Sequence, residues 1–182
     1  TTDASGRSLY AFRLHQFISG AHNLYSTLEP EPKRQLDLSG QQFLPGDRNK
    51  RFYSLHFCRQ CGQEYHPVWH EFENGEVLNP RDIGERDNAE DDNHWGFFMF
   101  DPQKRFDDAD PENYPEYWFE EKKGELRIKS NYKPFQPQSF YVLPDGQRSH
   151  EGVHGWFIPG AFRFCLMCGV APQARGKDST RL

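Results

Sequence analysis

Four cysteines carry the chemistry that this sequence can most readily perform. They lie in two copies of the pattern F-C-x-x-C-G, at residues 57–62 and 164–169. Two cysteines separated by two residues suit a tight turn that points both sulfurs at one tetrahedral ion, and the glycine accepts the positive φ that closes the turn. Two such turns supply four thiolates and leave no open coordination position. The sequence therefore predicts a structural Zn²⁺ site with the ligands Cys58, Cys61, Cys165 and Cys168.

Disulfide bonding and redox catalysis are the alternative uses of these cysteines. Disulfides persist in oxidising compartments. Residues 1–7 lack the apolar stretch of a secretory signal peptide, so we expect a cytoplasmic protein with reduced thiols. A redox-active C-x-x-C pair normally occurs once, beside a βαβ pattern, whereas this sequence holds two pairs and no such pattern. Metal binding is the favoured interpretation.

The two cysteine pairs are far apart in the chain. The separation from Cys61 to Cys165 is much longer than in a small zinc finger. An ion held by both pairs would tie together the two ends of a large module, and closing so long a loop contributes to stability.

The segments that must position the two pairs are mainly strand-like. Pro67 suggests an edge strand, because proline has no N–H to donate to a neighbour, and Asn74-Gly75 marks a hairpin turn. Residues 9–18 fit a short helix, and residues 114–121 fit either a short helix or an aromatic-bearing loop. Strands are predicted at residues 24–28, 36–38, 52–57, 64–72, 95–100, 126–129 and 139–143.

Composition favours one folded domain whose core is built from rings. The chain has 182 residues, of which 35% are hydrophobic and 15% aromatic. Disordered chains are poor in aromatic residues, so we do not expect wholesale disorder. No apolar run approaches the roughly 20 residues that a membrane-spanning helix needs, so we expect no membrane partner.

Charge is segregated along the sequence. Between Asp82 and Glu121 there are 14 acidic and 3 basic residues, a net charge of -11, and the whole chain has a net charge of -5. The remainder therefore carries a net charge of +6 (since -5 minus -11 is +6). Dense like charge stays solvated, so the stretch 82–121 is expected to form surface loops around a few aromatic anchors.

Motifs for catalysis are lacking, and we expect a chain that is not an enzyme. The eight histidines include the pairs His66 and His70 and His150 and His154, but no H-E-x-x-H pattern accompanies them. There is no G-x-S-x-G elbow, although composition leaves a Ser/His/Asp triad open. Residues 176–179 lack the upstream glycine of a Walker A motif, so ATP hydrolysis by this chain is not expected.

Two further sets of residues could bind a ligand. The tryptophans could line a cage or stack bases, although core packing is the commoner role. The basic residues near the cysteine pairs could follow a phosphate backbone, or could neutralise the thiolates and the acidic stretch. The tryptophans are Trp69, Trp95, Trp118 and Trp156, and the basic residues are Arg48, Lys50, Arg51, Arg59 and Arg163.

Several ordered motifs at the two ends of the chain resemble one protein family. The matching segments are residues 12–20, 24–29, 40–48, 57–65 and 162–170. Together they resemble the zinc-bearing region between the two RecA-like motor lobes of large bacterial superfamily 2 DEAD/DEAH-type helicases, some of which act in DNA repair and others in phage defence. The resemblance covers about a third of the chain and does not extend to residues 82–150.

The resemblance implies an accessory module of an ATP-dependent DNA helicase or translocase. Its partners would be the motor lobes of the same polypeptide, which bind the ATP, and DNA. The four cysteines carry over as zinc ligands. We therefore predict a β-rich α+β fold, a zinc-ribbon-like four-cysteine module formed by residues 1–182 as a single domain within a larger helicase, with residues 82–150 as an acidic insertion.

Two other families use distant C-x-x-C pairs. In β-tent zinc folds, similar to Yippee and cereblon-type domains, a tryptophan cage binds a small ligand or peptide, and three tryptophans converging on one pocket would support that alternative. Methionine sulfoxide reductases share such zinc pairs but need a further reactive cysteine, and all four cysteines here belong to the pairs.

Overall fold

The described part of the protein is rich in β-structure and has almost no helix. The computed structural model describes residues 24–72, 75–85 and 95–172, so the predicted helix at residues 9–18 lies outside the described residues. Helical geometry in the described ranges is confined to three 3-10 turns at Pro111–Asn113, Glu116–Trp118 and Lys133–Phe135. The strands are β1 (Tyr25–Thr27), β2 (Leu36–Asp37), β3 (Phe43–Leu44), β4 (Asp47–Ser54), β5 (His56–Phe57), β6 (Glu64–Glu71), β7 (Val77–Pro80), β8 (Trp95–Phe100), β9 (Phe119–Lys122), β10 (Glu125–Ile128), β11 (Gln138–Val142) and β12 (Val153–Pro159).

Two antiparallel sheets and a separate hairpin organise these strands. The larger sheet has the order β11-β12-β8-β6-β5, with β7 also paired to β6. The smaller sheet has the order β2-β1-β4-β3, and β9 pairs with β10. The chain passes from β4 in the smaller sheet through Leu55 into β5 in the larger one, so the two sheets share a corner immediately before Cys58. All the segments predicted as strands contain strands.

Pro67 lies inside the larger sheet, and the prediction of an edge position is wrong. Strand β6 pairs with β8 along one side, and with β5 and then β7 along the other. The Pro67 carbonyl accepts a hydrogen bond from the Arg81 N–H at 3.3 Å, which shows that the Pro67 backbone faces the second side. There the pairing with β5 ends at Tyr65 and the pairing with β7 begins at Val68. The position of the missing N–H therefore falls between two partner strands, where a proline is tolerated.

The core forms on both faces of the larger sheet because side chains alternate along each strand. On β8, Phe97 and Met99 face the cysteines, whereas Phe98 faces a second cluster that includes Tyr53 and Phe157. Rings dominate both clusters, as the composition predicts. The largest fully buried side chains include Trp118, Tyr53, Tyr65, Phe98, Phe140, Phe157 and Phe164.

The acidic stretch 82–121 contributes an inner strand as well as surface turns. Strand β8 pairs with β12 on one side and β6 on the other. Residues 101–118 then run through surface turns, whose buried anchors are Phe106, Tyr114 and Trp118. The β9–β10 hairpin follows. Within the described residues, no helix is long and apolar enough to cross a membrane.

Candidate metal centre

The first cysteine pair sits in a tight turn between β5 and β6. The Gly62 N–H donates to the Cys58 carbonyl at 2.8 Å, and the Cys58 N–H donates to the Gln63 carbonyl at 2.8 Å. Gly62 has a φ of 76°, a conformation that residues with a Cβ rarely adopt, which explains the glycine after the second cysteine. The N–H groups of Gln60 and Cys61 point at the Cys58 sulfur as hydrogen-bond donors.

The second cysteine pair, after β12, repeats this turn bond for bond. The Gly169 N–H donates to the Cys165 carbonyl at 2.8 Å, the Cys165 N–H donates to the Val170 carbonyl at 2.9 Å, and Gly169 has a φ of 70°. The N–H groups of Met167 and Cys168 point at the Cys165 sulfur. The shared F-C-x-x-C-G pattern thus produces the same local geometry twice. We refer to residues 58–63 and 165–170 as the first and second knuckles.

The two knuckles face each other and bring four sulfurs together. Cys58 Sγ lies 3.7 Å from Cys168 Sγ, and Cys61 Sγ lies 3.6 Å from Cys165 Sγ. All four sulfurs lie within 4.8 Å of one another, which is compatible with a single bound metal ion. The thiols are free, so the disulfide alternative is not the state observed. Cys58 and Cys165 are buried, whereas Cys61 and Cys168 lie on the exposed side.

These distances fit a tetrahedral ion. With a Zn–S bond of about 2.3 Å, a regular tetrahedron places its sulfurs about 3.8 Å apart. The separations of 3.6 and 3.7 Å across the two knuckles match that edge. The donor set is four thiols, and soft sulfur ligands in a tetrahedron select zinc or iron rather than Mg²⁺ or Ca²⁺.

Tyr65 completes the environment of the second knuckle. Its hydroxyl donates to Cys165 Sγ at 3.1 Å and accepts a hydrogen bond from the Leu166 N–H at 2.9 Å. The side chain is fully buried, and its ring packs edge-on against Phe162 at 4.9 Å between centroids. Tyr65 lies on β6, just after the first knuckle, so it links the two knuckles through the sheet. No sequence signal marked this residue, since its partner lies 100 positions away.

Electrostatics differ between the two buried sulfurs. Burial raises the pKa of the Cys165 thiol to about 12, although the Tyr65 hydroxyl and two N–H groups oppose the shift. Burial also raises the pKa of Cys58, but the N–H groups of Cys61 and Gln60 and the neighbouring sulfurs outweigh it, so the pKa of Cys58 is lowered. Four adjacent thiolates repel one another. A divalent cation removes that repulsion and deprotonates its thiol ligands.

Aromatic side chains support the second knuckle from behind. Phe164, which precedes Cys165, is buried against Trp118 at 5.1 Å and Tyr114 at 5.8 Å between ring centroids. The acidic stretch thereby supplies two of the rings that pack behind the cysteines. Its aromatic anchors and the two buried cysteines, Cys58 and Cys165, belong to one core cluster.

The predicted nucleic-acid contacts divide into two groups, of which the first lies on β4. Arg48 is exposed. Lys50 forms an ion pair with the mostly buried Glu29 at 2.8 Å. Arg51 donates a hydrogen bond to the side-chain oxygen of Asn79. Two of these three cations are therefore engaged within the protein.

The second group flanks the knuckles. Arg59 is exposed within the first knuckle, between its two cysteines. Arg163 precedes the second knuckle, and its guanidinium carbon lies 3.5 Å from the centroid of the Phe135 ring. Arg163 therefore packs on the protein's own surface.

The four tryptophans do not converge on one pocket. The Arg81 guanidinium carbon lies 5.8 Å from the Trp69 ring and 4.8 Å from the Trp95 ring. Arg81 is buried, so the space between these two rings is filled by a side chain of the protein itself. Trp118 and Trp156 lie in the core cluster beside the cysteines. This arrangement weighs against a tryptophan cage for an external ligand.

None of the described histidines joins the group of four sulfurs. His66, His70 and His154 are buried, and His150 is exposed. Among the described residues, the cysteines are the one group of three or more possible ligands whose ligand atoms lie together.

Comparison of the chain with protein-family models, with curated proteins and with solved structures finds no match. The helicase resemblance therefore rests on the motifs alone, and the assignment of a metal centre rests on geometry.

Proposed function

We propose that this chain binds one Zn²⁺ through Cys58, Cys61, Cys165 and Cys168, and that the ion is structural. The observation that carries the proposal is the pair of equivalent knuckles whose sulfurs approach to 3.6 and 3.7 Å, close to the edge of a zinc–thiolate tetrahedron. Four protein ligands fill the coordination shell, so no position is left for a substrate or an activated water.

A structural role follows from the distance between the knuckles along the chain. Cys61 and Cys165 are 104 positions apart. A cross-link that closes a loop of about 100 residues removes about 4.7 kcal/mol of chain entropy from the unfolded state. A domain of this size is stable by only about 5–15 kcal/mol, so the ion is expected to decide whether the protein folds.

Metal analysis tests this proposal. Native mass spectrometry of purified protein should find one zinc per chain, and a strong chelator should release the ion and unfold the sheets. The double substitution Cys58→Ser and Cys61→Ser should abolish binding. Met167→Leu is the matched control, because Met167 lies in the second knuckle but does not supply one of the four clustered thiols. Iron at the site, or a folded protein without metal, would contradict the proposal.

We further propose that the chain is a zinc-ribbon-like accessory module of an ATP-dependent DNA helicase or translocase, where it positions DNA or couples the motor lobes. The support is the ordered set of resembling motifs, together with the exposure of Arg48 and Arg59. In this proposal ATP is bound by the motor lobes. Residues 82–150, which lie outside the resembling motifs, supply strands β8 to β11.

A titration with single- and double-stranded DNA over a range of salt concentrations tests this role. The logarithm of the DNA-binding constant falls linearly with the logarithm of the salt concentration. For duplex DNA, each phosphate contact makes this slope steeper by about 0.9. Arg59→Ala should therefore reduce the salt slope by about 1. Arg163→Ala should have less effect on the slope because its guanidinium packs on Phe135. Absence of DNA binding at low salt would argue against a DNA-positioning role.

A further inference from the structure

Ser139 and His154 form a hydrogen-bonded pair on the larger sheet, apart from the metal centre. Ser139 lies on β11 opposite Trp156, and His154 lies on β12 opposite Tyr141, so the serine and the histidine are diagonal neighbours on one face. Ser139 Oγ lies 3.2 Å from His154 Nε2. Ser139 is exposed, whereas His154 is only 6% exposed.

The other ring nitrogen of His154 determines the direction of this hydrogen bond. His154 Nδ1 lies 2.7 Å from the main-chain carbonyl oxygen of Asp101. A carbonyl oxygen can only accept, so Nδ1 carries a proton, and in the neutral imidazole Nε2 is the unprotonated nitrogen. The Ser139 hydroxyl therefore donates to Nε2, which is the arrangement in which a histidine removes the proton of a serine nucleophile.

Asp101 is held firmly in the position that orients His154. The Asp101 N–H donates to the His154 carbonyl at 3.0 Å, and this hydrogen bond fixes the backbone of Asp101 beside that of His154. The buried Asp101 carboxylate accepts from the N–H groups of Arg105 and Phe106, each at 3.0 Å, and from the Trp156 indole at 3.2 Å. Burial raises the pKa of the Asp101 carboxyl, but the hydrogen bonds from these donors lower it by more. The pKa of Asp101 therefore lies below its usual value. Asp101 is thus a positioning residue, whose main-chain oxygen holds His154 Nδ1.

The backbone of Ser139 offers a hydrogen-bond donor at the edge of the sheet. The Tyr141 carbonyl accepts from the Ser149 N–H at 3.0 Å, on the side of β11 that faces away from β12. Backbone groups two residues apart on a strand point in the same direction. The Ser139 N–H therefore also points away from β12, where it can donate to an oxyanion formed next to Ser139 Oγ.

We propose that Ser139 is a nucleophile and His154 its general base, in an acyl-transfer site for small, accessible carboxylic esters. Ser139 Oγ attacks the acyl carbon and its proton moves to His154 Nε2, while the carbonyl electron pair moves to the oxygen. The C–O bond to the alcohol then breaks, and the alcohol leaves with the proton from Nε2. Water adds to the acyl-serine by the same route, so one ester and one water give one acid and one alcohol.

This reactivity goes beyond the structural metal site and differs from the sequence-based expectation of a chain that is not an enzyme. The site uses a loop and two strands, and none of the four cysteines takes part. The proposal can therefore fail on the folded, metal-loaded chain while the metal proposal stands.

A serine-directed fluorophosphonate probe and p-nitrophenyl acetate test the proposal on the metal-loaded chain. Peptide mass spectrometry should place the phosphonyl group on Ser139, and Ser139→Ala should abolish both labelling and ester hydrolysis. Ser130→Ala is the matched control, because Ser130 is also an exposed serine on this part of the chain. Labelling of Ser130 at the same rate as Ser139, or no labelling of Ser139, would overturn the proposal.

A second variant tests the base. His154→Asn places an amide N–H near the position of Nδ1, so the bond to Asp101 is retained while the base at Nε2 is lost. The labelling rate should fall by about 100-fold or more, as is typical when general-base catalysis is removed. Zinc content measured on the same samples shows whether each variant is folded. An unchanged labelling rate in a zinc-loaded His154→Asn variant would show that His154 does not activate Ser139.

Discussion

The Tyr65 hydroxyl donates to Cys165 Sγ at 3.1 Å while it accepts the N–H of Leu166 at 2.9 Å. A side chain on β6 therefore orients both the sulfur and the backbone of the second knuckle. Groups that orient metal ligands affect affinity although they do not touch the ion.

Tyr65→Phe should weaken zinc affinity without abolishing binding. The ring still packs on Phe162, but Cys165 loses a donor and the buried Leu166 N–H loses its acceptor. Loss of such an outer contact typically costs 10–100-fold in metal affinity, about 1.4–2.7 kcal/mol. Competition with a chromophoric chelator measures this change. Tyr53→Phe is the control, because its buried hydroxyl donates to the Leu78 carbonyl at 2.8 Å in the other core cluster. Equal affinities in the two variants would refute a role for Tyr65 at the metal centre.

Alkylation of the zinc-loaded protein should proceed in a defined order. Cys61 and Cys168 are exposed, whereas Cys58 and Cys165 are buried. A small alkylating reagent should therefore modify the two exposed sulfurs first, as peptide mass spectrometry over time can show. In denaturant and chelator all four sulfurs should react at similar rates. If Cys58 or Cys165 were modified first, the buried position of these two sulfurs would be contradicted.

His66 should make the protein less stable as the pH falls. The side chain is fully buried and Nδ1 lies 3.2 Å from the Ser54 carbonyl, and burial lowers the pKa of His66 to about 3. In the unfolded chain a histidine has a pKa of about 6.5. Between these values the unfolded state binds a proton that the folded state does not, so the free energy of unfolding decreases as the pH falls from 6.5 towards 3.

Urea unfolding at several pH values, with excess zinc, checks this prediction. The His66→Gln variant lacks this titration, so its stability deficit relative to the parent protein should shrink as the pH falls from 7 to 5. His150→Gln, which replaces an exposed histidine, is the matched control. Parallel curves for the parent and His66→Gln proteins would show that His66 does not titrate in this way.

Gly96→Ala should destabilise the centre of the larger sheet. A Cβ at this position would lie 2.1 Å from the Ile158 carbonyl oxygen and 2.9 Å from the Phe157 ring, so β8 and β12 would have to separate. We expect a loss of about 3 kcal/mol, at the upper end for overpacked cores. Gly84→Ala is the control, since a Cβ there meets no atom within 4 Å and no positive φ is required. Thermal unfolding should give a clearly lower melting temperature for Gly96→Ala than for Gly84→Ala.

The local geometry of the two knuckles could be predicted from the sequence. Each F-C-x-x-C-G segment contains its own turn, because the hydrogen bonds and the positive φ of Gly62 and Gly169 involve residues at most five positions apart. The ring-rich core and the positions of the predicted strands also follow from patterns within short segments. The helicase resemblance stays a prediction that the geometry does not test.

Long-range contacts could not be predicted in this way. Pro67 lies inside the sheet because two partner strands meet beside it, and the register of those strands is set by packing across the whole domain. Tyr65 reaches a sulfur 100 positions away, and Ser139 reaches His154 through the pairing of β11 with β12. The spacing of residues in a motif predicts the geometry of a turn when all its hydrogen bonds lie within a few residues. Partners from distant segments are chosen by burial and strand register, which depend on every segment at once.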